Sequence, residues 1–120
     1  NLGEVAFRES DNDRARELFD QALPLCKQVG AVLGQANCLS SLGQVAFRES
    51  DNDQARKLFD QALPLYQRIR DRYSEAISHA WLACVTEGKE HAEHVTQMND
   101  LAVKLKLPGF HDALRAVAEG

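Results

Sequence analysis

The chain is short of large rigid side chains. It has one tryptophan, one methionine, two tyrosines and three prolines. It also has no long apolar run. The uncharged stretch Val29 to Ala46 is interrupted by Gly30, Gly34, Gln35, Asn37, Ser40, Ser41, Gly43 and Gln44, so it is not a transmembrane helix, and no membrane partner is expected. A positive excess is missing as well. With a formal net charge of −4 the chain lacks the basic footprint that displaces counterions from phosphates, so nucleic acid is not an expected partner. Cysteine is scarce and odd in number: Cys26, Cys38 and Cys84 form no CxxC or CxxH spacing, and they read as buried, reduced thiols of a cytoplasmic protein. No glycine-rich phosphate loop occurs.

The chemically capable residues do not assemble into a catalytic pattern. His91 and His94 lie three apart between Glu90 and Glu93, but they form no HExxH motif, and His79 and His111 join them only if the fold brings them there. Cys84 with His79 lacks an orienting third group. The acidic runs Glu9 to Asp13 and Glu49 to Asp53 lack the glycine and the final glutamate of a calcium loop. Helix capping accounts for both runs. The expectation is therefore a non-enzyme without cofactor or metal.

What the chain does have is a repeat. Leu2 to Leu25 returns as Leu42 to Leu65, with differences only at Glu4/Gln44, Arg14/Gln54 and Glu17/Lys57. A fixed spacing of 40 residues is the signature of stacked units, each too small to bury its own core. A composition of 44% hydrophobic and 27% charged residues does not favour disorder, and 120 residues fit one domain.

Within the second copy, Leu39, Leu42, Val45, Ala46 and Phe47 form a helical stripe that Glu49 to Asp53 ends. Asp51 is the expected N-cap of the next helix, with Gln54 three residues on, and that helix carries Ala55, Leu58, Phe59, Ala62, Leu63, Leu65, Tyr66 and Ile69 to about Arg70. Pro64 bends this helix without ending it, as Pro24 does in the first copy. The same reading puts a cap at Asp11. Ala76 to Val85 and Val95 to Leu105 make a degenerate third pair, and Pro108 opens a short final helix, Phe110 to Ala118.

Leu42 and Gly43, followed by Ala55, Phe59 and Ala62, stand at the spacings of the tetratricopeptide repeat, as do Gly3, Ala15, Phe19 and Ala22. The chain resembles that family, in the 40-residue form found in kinesin light chain and in the sensor arrays of bacterial signalling ATPases. The resemblance implies an all-α fold in which antiparallel helix hairpins stack as a right-handed solenoid with a C-terminal capping helix. One domain, 1–120, divides into a truncated first repeat (1–32), a second (33–72), a degenerate third (73–107) and the cap (108–119). Because the first copy lacks counterparts of Ala36 to Leu39, the chain reads as one end of a longer array.

The resemblance further implies a concave face lined by first-helix positions: Glu4, Phe7 and Arg8; Asn37, Ser40, Gln44, Phe47 and Arg48; Ile77, Trp81 and Cys84. Phe7, Arg8, Asn37, Gln44, Phe47, Arg48 and Trp81 are the partner-binding candidates. The repeated Phe-Arg pairs suit an acidic or aromatic-rich peptide. Ser40 and Gln44 replace the pattern with which chaperone-binding members hold a C-terminal carboxylate, which argues against that ligand. The expected function is capture of a peptide or partner helix by part of a larger scaffold or signalling regulator. The alternative is a self-associating segment without a peptide ligand, a homodimer through the N-terminal repeat, where Leu2, Val5 and Phe7 carry apolar surface.

Overall fold

A computed structural model describes the backbone of residues 2–120 and the side chains of residues 11–120. Six helices follow one another: α1 (Leu2–Gln28), α2 (Val32–Arg48), α3 (Asn52–Arg68), α4 (Arg72–Cys84), α5 (Gly88–Leu105) and α6 (Phe110–Glu119). No strand occurs among the described residues. Each helix packs on its neighbours in sequence, and α6 also packs on α4.

Local chemistry explains most boundaries. The Asp51 carboxylate accepts from the Gln54 amide at 3.2 Å, and the Asp71 carboxylate accepts from the Ser74 amide at 3.1 Å and the Ser74 hydroxyl at 2.7 Å. Both bonds satisfy amides that the first turn of a helix leaves unpaired. Gly30 and Arg70, forty residues apart, take the same left-handed conformation, with φ of 71° and 58°. Behind them Ala31 N–H donates to the Cys26 carbonyl at 2.9 Å, and Asp71 N–H to that of Tyr66 at 3.0 Å. Pro64 lies inside α3 and does not end it.

The core runs along the stack in three clusters. Ala36, Leu39, Ala62 and Tyr66 join α2 to α3, with Leu23 of α1 against them. Ala46, Ala55, Phe59 and Leu82 join α2, α3 and α4. Ala76, Ala80, Ala83, Met98, Leu101, Ala102, Phe110, Leu114 and Ala118 join α4, α5 and α6. Small residues face large ones throughout, so the helices approach closely. Gly43 shows why: a Cβ there would stand 2.8 Å from the Phe59 ring.

One expectation is corrected. The first copy has no cap at Asp11, because α1 runs unbroken from Leu2 to Gln28 through the same Glu-Ser-Asp-Asn-Asp letters that end α2. The turn in the second copy requires Ser50 at φ 63°, and a side chain in the left-handed region costs about 1 kcal/mol. There, packing of Ala46, Phe59 and Leu82 offsets that cost. In the first copy Ala15, Phe19 and Ala22 are only half-buried, no comparable packing compensates, and the helical path continues.

Candidate functional site

Because α2 and α3, and then α3 and α4, are successive antiparallel partners, α2 and α4 run in the same direction. Helix α6 follows suit. Its first residue, Phe110, stacks on Tyr73 near the start of α4, with centroids 4.9 Å apart, while Gly120 lies against the Cys84 thiol at its end. Helix α6 thus packs parallel to α4, while α2 meets α4 through the Phe47 and Trp81 rings.

Aromatic rings join these helices. Trp81 of α4 stacks on Phe59 of α3, with centroids 5.6 Å apart and planes 11° apart, and meets the edge of Phe47 of α2 at 5.5 Å and 66°. Phe59 is fully buried, whereas Phe47 and Trp81 keep part of their surface in solvent. Arg48, the next residue after Phe47 and the last of α2, is exposed. Its Nε donates to the Gln44 carbonyl at 3.5 Å, and no carboxylate among the described residues reaches its guanidinium.

The other sequence candidates divide. Asn37 is exposed, but its Oδ1 accepts from the Tyr66 hydroxyl at 2.6 Å, so it also ties α2 to α3. Gln44, Ile77 and Cys84 are half-buried. Ser40 is buried and lines no surface, because it faces α3 beside Tyr66. Glu4, Phe7 and Arg8 lie outside the residues whose side chains are described. Surface cavities open elsewhere among the described residues. One of about 250 Å³ lies between α1, α2 and α3, and one of about 340 Å³ lies between α5 and α6; neither includes Asn37, Gln44, Phe47, Arg48 or Trp81.

The cysteines behave as apolar packing residues. All three are free; Cys38 is buried, while Cys26 and Cys84 are half-buried rather than fully enclosed as the sequence suggested. Burial, with Cys26 alongside, pushes the Cys38 thiol up, and burial does the same to Cys84, which disfavours the reactive thiolate.

A polar cluster escaped the sequence reading. The Nδ1 atoms of His79 and His94 stand 2.9 Å apart across α4 and α5, so one donates and the other accepts. Glu75 lies 4.0 Å from the Nε2 of His79, and Arg72 pairs with that carboxylate at 2.7 Å. Burial first, then the facing His94, lowers the His79 pKa to about 4 against the opposing pull of Glu75. Burial also lowers that of His94. The sequence had grouped His94 with His91, yet His91 turns away and donates through Nδ1 to the Ala83 carbonyl at 2.6 Å. The signal was the four-residue spacing of Glu75 and His79 on the buried face of α4. No group of three metal-binding side chains occurs among the described residues.

Stacked helix hairpins with small residues at the crossings and aromatic rings between them define a helical repeat protein. A family model described as Tetratricopeptide repeat matches residues 1–68, more than half of the chain. The chain belongs to the tetratricopeptide repeat family, a non-catalytic repeat module that in general mediates protein–protein interaction. Comparison with curated proteins and with solved structures finds no match. Among the described residues no helix is long and apolar enough to cross a membrane.

Proposed function

We propose that the chain captures an acidic, aromatic-containing peptide or partner helix along the face formed by α2 and α4, as part of a larger cytoplasmic scaffold or signalling regulator. The observation that supports this most is the half-exposed Phe47–Trp81 pair, with exposed Arg48, which no carboxylate among the described residues reaches, next to Phe47 in the chain. Aromatic rings provide apolar area at small entropic cost, and a guanidinium without a partner offers a bidentate site for an incoming carboxylate. Gln44 and Asn37 extend the same face with amide groups, and in the first repeat Phe7 and Arg8 repeat the pair in sequence. Three free thiols suit a reducing compartment.

Selection of a random peptide library on the intact chain tests the reading. The recovered peptides are expected to be rich in Asp, Glu and aromatic residues. They should alter the fluorescence of Trp81, the sole tryptophan, and bind at least about ten-fold more weakly to Arg8→Ala/Arg48→Ala, since a lost charged hydrogen bond is worth about 1.5–3 kcal/mol. Equal binding by the double variant would sink the assignment.

A second reading is self-association through the N-terminal repeat. It is favoured by Leu18 and Leu25, which are 66% and 62% exposed while their counterparts Leu58 and Leu65 are half-buried.

A further inference from the structure

Two nearly identical stretches of this chain have different fates. In residues 42–65 the segment is a hairpin: α2 lies back along α3, Gly43 admits the Phe59 ring, and Ala46 shares a buried cluster with Ala55 and Phe59. In residues 2–25 the same letters form one continuous helix. At about 1.5 Å per residue, a straight helix carries the Leu2–Phe7 segment along the axis and away from Ala15 and Phe19. The surface that Leu42–Phe47 covers in the second copy is therefore uncovered by its own chain in the first. The described side chains show this: Ala15 and Phe19 are half-buried where Ala55 and Phe59 have no exposed surface, and Leu18 is 66% exposed.

We propose that a second copy of this chain covers that surface by exchange. The Leu2–Phe7 helix of each copy lies on Ala15, Leu18 and Phe19 of the other, as Leu42–Phe47 lies on the counterparts Ala55, Leu58 and Phe59 within one chain. The occupant is specified by the molecule's own template. Leu2, Gly3, Val5, Ala6 and Phe7 are the same residues, in the same order, as Leu42, Gly43, Val45, Ala46 and Phe47, so the interface already exists once inside the fold. Gly3 is the counterpart of the glycine that lets Phe59 approach. Reciprocal exchange closes with two-fold symmetry, and Ser10, inside the straight helix, is the hinge position, because its counterpart Ser50 closes the turn only at φ 63° while the open form leaves the helix unstrained. Ala22 and Leu25 stay outside this interface, since their counterparts pack around Ala36 and Leu39. This inference rests on the self-association reading and shares only Phe7 with the proposed peptide-binding residues.

The test is sedimentation of the intact chain over a range of concentrations, together with oxidation of the double variant Ala6→Cys/Ala15→Cys and peptide mapping of the bond between the introduced thiols. Exchange predicts a concentration-dependent dimer and a disulfide that joins two chains. It also predicts that Ser10→Gly, which removes the Cβ penalty of the closed turn, weakens the dimer roughly ten-fold. A disulfide within one monomeric chain overturns the proposal, because the first repeat has then closed on itself. A dimer whose introduced thiols stay unlinked overturns exchange and leaves self-association by another contact. A monomer at every concentration overturns both.

Discussion

A Cβ added at Gly43 would stand 2.8 Å from a Phe59 ring that has no exposed surface and is stacked on Trp81. The ring cannot yield without losing that stack, so Gly43→Ala is expected to lower stability by about 2 kcal/mol, the usual cost of overpacking a filled core. Gly34 is as crowded on paper, with its Cβ position 2.8 Å from the Cys26 sulfur, but that thiol is half-buried and can turn away. Gly34→Ala should then keep most of the helix-propensity gain of about 1 kcal/mol. Urea unfolding of the two variants side by side checks the contrast. Equal stabilities would show that Phe59 moves as readily as the thiol.

Helices α4 and α5 are joined partly by the His79 and His94 imidazoles, whose Nδ1–H···Nδ1 contact needs at least one unprotonated ring. Asp60, Glu90 and Glu93 favour charge on His94 and Arg56 opposes it, Glu75 favours charge on His79, and burial outweighs the attractions at both rings. The folded pKa of each lies below its unfolded value, so the unfolded chain binds more protons in the interval between them. The stabilisation is therefore fully present above about pH 6.5 and is lost as pH falls toward 4. For His79 the full interval corresponds to a loss on the order of 3 kcal/mol. The urea midpoint should drop between pH 7 and pH 4.5, and drop less in His94→Gln, where no second imidazolium faces the first. An unchanged pH dependence in that variant would contradict the coupling.

Along the whole molecule, stability is set by how many neighbours each helix has. Helix α3 is held between α2 and α4, whereas the described part of α1 packs mainly on α2. Local opening follows this distribution rather than the sequence. In dilute solution the amides of residues 15–25 should exchange with deuterium faster than those of residues 55–65, although the two stretches differ at one position, Glu17/Lys57. Raising the protein concentration should narrow the gap if a second copy covers Ala15 and Phe19. Equal exchange in dilute solution would mean that the first repeat is already covered.

The amino-acid sequence by itself determined the helical class, the Asp51 cap and the uninterrupted passage of α3 through Pro64, and its resemblance gave the family. The first three follow from short-range rules, periodicity and capping chemistry. It also marked Phe47, Arg48 and Trp81 by repetition and resemblance, though not the half-buried aromatic contact that relates Phe47 to Trp81. Only the tertiary structure decided that Ser40 is buried, that His94 meets His79 instead of siding with His91, and that identical letters turn at Ser50 but run straight through Ser10. Those outcomes depend on what lies alongside a segment. A left-handed serine costs about as much as one modest packing contact returns, so the presence or absence of a neighbouring helix selects between hairpin and rod.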